Sequence, residues 1–455
     1  MARGFPLFLH MKIMFVSLGC DKNLVDTEMM LGMLADKGYE FTEDEHEAEV
    51  IVVNTCSFIR DAKMESIETL IEMGALKKEG KLRALICAGC LAQRYTDEIR
   101  QEIPEVDAIV GTMSIDAICQ AVEESLGGLH NTYKASADAP LVYGKRRIVT
   151  TGGHFAYLKI AEGCNKRCTY CAIPGFRGKY RSVPIEVLEK EAQKLADDGV
   201  RELILVAQET TLYGVDLYQK KSLPDLLDRL NKISGLYRIR ILYCYPEEID
   251  DGLIDAIKRN DKVVHYLDMP IQHISDKVLK RMGRRTTKES ITDTIAKLRR
   301  EIPDICLRTT LITGFPGESH KDFKILYDWV SETKFDRLGV FTYSREENTK
   351  AAEYNKQVPE PIKKIRRNKI MKIQQQIAYK QAIECIGREM TVMIEGRMPE
   401  DNVYVARTYK DAPNVDGFLF VETAKELMTG DFIKVKVTGA KEYDLIGVPT
   451  DEFTE

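Results

Sequence analysis

Eleven cysteines are scattered through this 455-residue chain, and three of them stand close enough in sequence to act together. Gly163-Cys164-Asn165-Lys166-Arg167-Cys168-Thr169-Tyr170-Cys171 carries the spacing Cys-x3-Cys-x2-Cys. Thiolates so spaced on one loop can hold three irons of a cubane cluster. No fourth cysteine follows, which leaves the fourth iron open to an exogenous ligand. A zinc site would want four ligands, and no fourth Cys or His lies at a suitable spacing nearby. A redox dithiol would use only two of the three.

A second group is dispersed. Cys20, Cys56 and Cys90 each follow a short apolar, largely β-branched run: Lys12 to Val16, Val50 to Val53 and Leu82 to Ile86. As successive parallel strands these would put three cysteines at one sheet edge, despite sequence separations of 36 and 34 positions. That edge is where open α/β sheets bind ligands. Chance placement of a commonly buried residue is the alternative; three coincidences at matching places favour a second cluster. Cys87 makes a Cys-x2-Cys pair with Cys90 but lies on the strand and reads as packing. Cys119, Cys244, Cys306 and Cys385 fall within or beside helix and strand patterns and read as core.

The elements that must position these cysteines follow from periodicity. Residues 11–126 alternate strand and helix, with Val25, Met29 and Met33 on one helix and Met64, Ile67 and Ile71 on the next, predicting a doubly wound parallel sheet. Residues 127–150 read as a linker with one strand around Leu141 to Tyr143. Residues 151–381 carry six strand candidates, from Ala156–Ile160 to Leu338–Tyr343, separated by helices: a partial (βα)6 barrel, whose chemistry belongs at the C-terminal mouth of the strands. The first cluster loop follows the first of these strands. Residues 384–451 read as a small antiparallel β-barrel of four strands, the last at Phe432 to Val437.

Composition agrees. At 44% hydrophobic and 30% charged residues the chain is globular, not fibrous or disordered. No apolar window of about 18 residues exists to span a membrane. An odd cysteine count without a secretion signal suits a reducing, cytoplasmic setting. Residues 1–10 are expected to be a tail or an upstream start.

The cysteine loop resembles the signature of the radical S-adenosylmethionine (radical SAM) superfamily. Ser17-Leu18-Gly19-Cys20-Asp21-Lys22-Asn23-Leu24-Val25-Asp26, Asn54-Thr55-Cys56, Gly89-Cys90-Leu91-Ala92-Gln93-Arg94-Tyr95 and Gly314-Phe315-Pro316-Gly317-Glu318 resemble the methylthiotransferases within it. The likeness runs from Met11 to about Pro449. It implies two 4Fe–4S clusters, the SAM-binding one on Cys164, Cys168 and Cys171 and an auxiliary, sulfur-carrying one on Cys20, Cys56 and Cys90. It also implies a C-terminal TRAM domain, a low-potential electron donor, and SAM used both as radical source and as methyl donor. Leu24 to Asp26, Gln208 to Gly214 and Asp411 to Gly417 resemble the branch that modifies the β-carbon of an aspartate in a small-subunit ribosomal protein, S-twelve. The competing branch methylthiolates a tRNA adenosine next to the anticodon. Asp21 stands where Pro is commoner, and Glu209 where Asp is commoner.

Candidate SAM contacts follow from the same likeness. Tyr170 occupies the aromatic position beside the third cysteine, near adenine. Gln208 and Glu209 end the second barrel strand, where an ammonium would be met, and Gln272 to Ser275 follow the fourth. Gly314 to Glu318 follow the fifth strand; the loop suits adenine or ribose, and a tight βα turn explains its glycines equally well. Arg308, if inward, could grip a carboxylate, and an ion pair with a nearby acid is the alternative.

Charge bears on the partner. The overall net charge of −5 is too mild to be diagnostic, but Ile386 to Glu455 holds 8 Lys or Arg against 14 Asp or Glu. An acidic domain repels a polyphosphate and suits a basic ribosomal protein, with Asp411 and Asp416 as partner-facing acids. Solubility alone is the plainer explanation. The helix carrying Lys363, Lys364, Arg366, Arg367, Lys369 and Lys372, with Ile362, Ile365, Ile370, Ile373 and Ile377 as its apolar stripe, is read as a solvated face, or as a contact to ribosomal RNA.

Overall fold

The computed structural model describes residues 11–399 and 402–452, so the expected tail at residues 1–10 lies outside the described residues. The chain divides into two compact units. One takes residues up to 150 with 159–187 and 344–349; the other takes 151–158, 188–343 and 350 onward.

The first unit is built on β1 (Lys12–Ser17), α1 (Asp21–Asp36), β2 (Glu40–Phe41), β3 (Val50–Thr55), α2 (Arg60–Ala75), β4 (Ala84–Gly89), α3 (Cys90–Arg94), α4 (Thr96–Glu102), β5 (Ala108–Gly111), α5 (Ile118–Leu126) and β6 (Thr132–Tyr133). The strands form one parallel sheet of order β2-β1-β3-β4-β5-β6. Every residue of β3 and β4 is buried, as a sheet covered on both faces requires. The order reverses between β1 and β3, which makes the gap beyond their C-terminal ends a topological switch point.

Two local expectations change. No strand forms at Leu141 to Tyr143; the added edge strand is β6, paired to β5. On α2 the buried residues are Ser66, Leu70, Met73 and Gly74, while Met64 and Ile71 are exposed. The helix is turned so that Ser66 Oγ accepts from the Cys56 amide at 2.9 Å and lies 3.0 Å from the Cys56 carbonyl. Satisfying that buried backbone outweighs two methyl-rich side chains.

The second unit begins with β7 (Phe155–Lys159), all but its last residue. After it the chain returns to the first unit through the antiparallel pair β8 (Ala161–Glu162) and β9 (Arg181–Ser182), with α6 (Ile173–Arg177) between them. The second unit continues through α7 (Ile185–Asp197), β10 (Glu202–Val206), α8 (Val215–Tyr218), α9 (Leu223–Leu230), β11 (Arg238–Ile241), α10 (Asp251–Arg259), β12 (Val263–Asp268), α11 (Asp276–Arg281), α12 (Lys288–Glu301), β13 (Cys306–Thr313), α13 (His320–Thr333), β14 (Arg337–Thr342) and α14 (Glu360–Ile383). Its sheet has the order β14-β13-β12-β11-β10-β7, six strands side by side in chain sequence and left open, which is the partial barrel expected.

On α14 the buried face is Lys363, Ile370, Gln374, Ile377, Ala378 and Ala382, with Ile362 and Ile365 exposed. Lys363 is therefore no surface cation. Its stem lies where a side chain on Gly314 would be, and its Nζ donates to the Tyr343 carbonyl at 2.7 Å.

The C-terminal strands β15 (Glu389–Arg397), β16 (Val403–Arg407), β17 (Leu419–Glu422), β18 (Phe432–Lys441) and β19 (Asp444–Pro449) close into a barrel. The fifth strand was not foreseen, and it pairs parallel with β17 in an otherwise antiparallel barrel. Asp411 and Asp416 do not face a partner, because their side chains are buried. Asp411 pairs with Arg337, and Asp416 accepts from the Tyr266 hydroxyl at 2.7 Å and lies 3.4 Å from Arg308. These acids tie the β16–β17 loop to the strands of the open sheet.

A second buried ionic group does the same. Glu202 accepts from Arg240 at 2.7 Å and lies 3.0 Å from Arg407, which donates to Glu395 at 2.8 Å. Burial opposes ionisation of Glu202, but the two guanidiniums outweigh it and hold its carboxyl at about 2. Removing one partner leaves charge buried without compensation. Arg407→Met is expected to destabilise this unit by about 3–5 kcal/mol, read as a lower urea midpoint; a midpoint within error of the parent's would mean the group carries no such load.

Candidate functional site

Cys20, Cys56 and Cys90 stand at the C-terminal ends of β1, β3 and β4, with Cys20 and Cys56 flanking the switch point. Cys20 precedes α1 in extended backbone, Cys56 follows β3, and Cys90 opens α3. Gly19, at φ +94°, lets two turns close on each other: a Cβ there would lie 2.8 Å from Cys56 Cβ and 3.0 Å from its sulfur. Asn23 laces the turns by donating to the carbonyls of Leu18 at 3.1 Å and Thr55 at 3.0 Å. Asn54 donates in turn to the Asn23 carbonyl at 2.8 Å. Cys56 and Cys90 are buried and Cys20 is exposed. Burial pushes the Cys90 thiol up to about 12, with Arg177 opposing and Cys56 and Cys20 adding to the rise. The three sulfurs therefore feel one another. Cys87 lies in the sheet's apolar core with Leu85, Val53 and Ile109, as a packing residue should.

The contiguous triad lies in the same compact unit. Cys164 and Cys168 are buried and Cys171 is half-buried. The Cys164 amide donates to the Gly178 carbonyl at 3.1 Å, and the Cys171 amide to the Cys168 carbonyl at 3.1 Å, so the loop closes on itself. Gly163, at φ +80°, admits the Lys179 carbonyl where a Cβ would be. Burial raises the Cys171 thiol to about 12; Cys168 and Cys164 add to the rise, and Arg94 opposes it.

Two arginines stand near these cysteines. Arg94 leaves α3 four residues after Cys90, donates to the Ser57 carbonyl at 3.0 Å and lies 3.5 Å from Glu346. Arg177 ends α6, six residues after Cys171. It donates to Cys90 Sγ at 3.3 Å, to Asn23 Oδ1, to Asp26 at 2.9 Å and to Glu162 at 2.7 Å. Lys159 completes the group by pairing with Asp26 and, at 3.1 Å, with Glu162. All four ionic side chains are nearly excluded from solvent. Burial alone would raise the Glu162 carboxyl, yet Arg177 and Lys159 hold it below the usual carboxylate range. Sequence reasoning missed this group. Its only traces are that Glu162 and Arg177 flank the cysteine motif and that Asp26 closes a motif after Cys20.

The donor sets fit iron–sulfur clusters. Each triad offers three sulfurs with none supplied as a fourth, the set for a cubane with one open iron. Among the described residues no three Cys, His, Asp or Glu side chains gather around a point suited to a single ion. A cubane's thiolates sit on separate irons and so stand further apart.

The other candidates are placed as follows. Tyr170 is half-buried beside Cys171. Gln208 is half-buried past β10; Glu209 is buried and accepts from the Thr211 amide at 3.1 Å. Arg308 pairs with Asp268 at 2.8 Å, two positions into β13 and far from that strand's C-terminal end. Gly314 accommodates Lys363, as described above. Glu318 is fully buried, accepting from the amides of Gly314 at 2.6 Å and Phe315 at 3.1 Å and from Arg366 at 2.8 Å. Burial outweighs these donors and lifts its carboxyl to about 7. Glu318 thus shapes the Gly314–Glu318 turn from inside. Beyond β12, Gln272 takes a left-handed φ of 70°, and His273 beside it is fully buried, its Nδ1 accepting from the Ser275 amide at 2.9 Å.

Comparison with known proteins gives this geometry its context. The model of the radical SAM superfamily matches residues 158–330, that of the TRAM domain 386–449, and that of uncharacterized protein family UPF0004 residues 12–111. A solved structure of TsrM from Kitasatospora setae, a radical S-adenosylmethionine methyltransferase with cobalamin and a 4Fe–4S cluster, has a TM-score of 0.55 at 14% identity, covering 87% of this chain and 80% of that one. That likeness is one of fold alone. The chain is 57% identical to the ribosomal protein uS12 methylthiotransferase RimO of Lachnoclostridium phytofermentans, over 96% of this chain and 99% of that protein. It is 50% identical to the protein of that name from Clostridioides difficile, over 96% and 98%. The superfamily implies a 4Fe–4S cluster and SAM, and its matched range includes Cys164, Cys168 and Cys171. With its N-terminal, radical SAM and TRAM parts all matched and its length shared with these relatives, the chain belongs to the RimO family of radical SAM methylthiotransferases.

Proposed function

We propose that this chain methylthiolates the β-carbon of an aspartate in ribosomal protein uS12, using one SAM to initiate hydrogen abstraction and another as methyl donor. The observation that carries the chemistry is the presence, in one compact unit, of two cysteine triads, with Arg177 reaching from the helix after one of them to the Cys90 sulfur of the other. Relatives named for uS12, 46–57% identical over nearly their whole lengths, support the substrate. When bound, a cluster on Cys164, Cys168 and Cys171 with SAM supplies hydrogen abstraction from an unactivated C–H bond, and an auxiliary cluster on Cys20, Cys56 and Cys90 supplies sulfur.

The chain's own residues prepare both places. Buried Cys90 and half-buried Cys171, whose thiols are both raised, would hold their protons until iron displaces them, so loading a cluster would release protons. Ser66 and Asn23 fix the backbone that aims the dispersed thiols. Burial of Cys164 and Cys168 keeps bulk water from their sulfurs. We assign residues 11–126 to the sulfur-inserting domain, 127–150 to a linker, 151–381 to the radical SAM core and 384–451 to the TRAM domain. A low-potential donor must supply the electron. No described helix is long and apolar enough to cross a membrane, and a ribosomal substrate supports a cytoplasmic reaction.

Two outcomes are expected. In anaerobically reconstituted protein, Cys20→Ala, Cys56→Ala or Cys90→Ala should lower iron from about eight to about four per chain. These variants should still cleave SAM reductively while transferring no methylthio group. Cys164→Ala, Cys168→Ala or Cys171→Ala should abolish the cleavage, and Cys87→Ala should preserve both activities. Parent protein with only about four irons would defeat the two-cluster reading. Second, mass spectrometry of uS12 and of a tRNA anticodon stem-loop, each incubated with enzyme, SAM and reductant, should find the added mass only on the uS12 aspartate. Modification of the stem-loop alone would assign the chain to tRNA instead.

A further inference from the structure

We infer that Arg177 is a positioning residue that sets the reduction potential of the auxiliary cluster, by placing a guanidinium on the sulfur of Cys90; this rests on the two-cluster reading above. A cluster held by three thiolates is anionic, and each added electron deepens the charge. In a buried site that charge needs a fixed counter-charge. Potentials of iron–sulfur clusters respond to net charge and to hydrogen bonds on the ligand sulfurs.

Arg177 offers both. One nitrogen, Nη2, stands 3.3 Å from Cys90 Sγ and also donates to Asn23 Oδ1, the side chain whose amide ties the Cys20 and Cys56 turns together. The other, Nη1, is held by Asp26 at 2.9 Å and Glu162 at 2.7 Å. The planar fork is thus clamped at one end by carboxylates and aimed at sulfur with the other. Lys159 shares both carboxylates, so the four ionic side chains balance as two cations and two anions before any cluster is counted. Arg177 belongs to the short helix that follows Cys171, while the sulfur it meets belongs to the other triad. The residue therefore also fixes how far the radical-cluster loop stands from the auxiliary ligands.

Removing the guanidinium should make the auxiliary cluster harder to reduce. Because Arg177→Gln alone would strand two buried carboxylates, the variant to use pairs it with Glu162→Gln, which leaves Lys159 balanced by Asp26; Arg177→Lys keeps charge without the fork. Both are placed in full-length protein whose Cys164, Cys168 and Cys171 are alanine, so that only the auxiliary cluster can load. The readouts are iron per chain and the midpoint potential from an EPR-monitored redox titration. The expected result is about four irons with a potential shifted negative in the paired variant and less so in Arg177→Lys. An unshifted potential in both variants at full iron content would overturn the inference. A measurement without any Arg177 substitution guards against variants that do not fold. Arginine labelled with nitrogen-15 should give a resolved ENDOR coupling to the reduced cluster in the triple-alanine background, and a loaded cluster without that coupling would overturn the assignment. Failure of that background to bind iron at all would instead overturn the two-cluster reading, and this inference with it.

Discussion

Placing thiols in a buried polar core is the constraint on which the first unit depends. Thiols at the ends of β1, β3 and β4 are easy to place, because a parallel sheet aligns its strand ends. The buried two, Cys56 and Cys90, are harder to ionise, because the burial that shields them raises their proton affinity. The fold answers with cations drawn from the other cysteine loop. Arg177 comes back to Cys90, and the Arg94 guanidinium favours the thiolate of Cys171. Each guanidinium is itself costly to bury, which is why Asp26 and Glu162 accompany the first, with Lys159 balancing the second of these carboxylates, and Glu346 accompanies the second guanidinium. The polar core of this unit is thus one connected consequence of placing two thiol triads in it.

The second unit uses charge for a different end. Glu202, Arg240, Arg407 and Glu395 link the start of β10 and β11 to the C-terminal barrel, while Asp411 and Asp416 link the β16–β17 loop to Arg337 and Arg308. Apolar packing would hold two such pieces together in many orientations. Paired charges with fixed geometry select one, at some expense in stability. The acidity of the C-terminal domain therefore cannot be read directly as a surface for a basic partner, since part of it is spent inside.

The sequence made the architecture and the six cysteines legible for physical reasons. Strands buried on both faces announce themselves as continuous β-branched runs, as Val50 to Val53 does. A motif confined to nine residues, Cys164 to Cys171 with Gly163, needs no tertiary information to be recognised. The dispersed triad was legible only because the sheet converts sequence position into spatial position. What stayed hidden were pairings across long separations, such as Asp26 with Arg177. Neither residue is unusual where it stands, and nothing in local pattern says that they meet.

The two misread helices point to a rule about which force wins. On α2 and on α14 an apolar stripe was drawn through the most hydrophobic residues, and in both cases part of it stays exposed, Met64 and Ile71 on the first and Ile362 and Ile365 on the second, while a polar residue is buried instead. Ser66 is buried because the backbone of Cys56 needs partners at both its amide and its carbonyl. Lys363 is buried because its amine reaches the Tyr343 carbonyl while its stem fills the space that Gly314 leaves empty. An exposed Met64 or Ile365 forgoes about 1.5–3 kcal/mol of burial. A buried polar group left unsatisfied costs a comparable amount, and here it would also loosen the turn that carries Cys56 or a loop at the mouth of the open sheet. Where a helix borders such a turn, backbone satisfaction and not hydrophobicity sets its rotation.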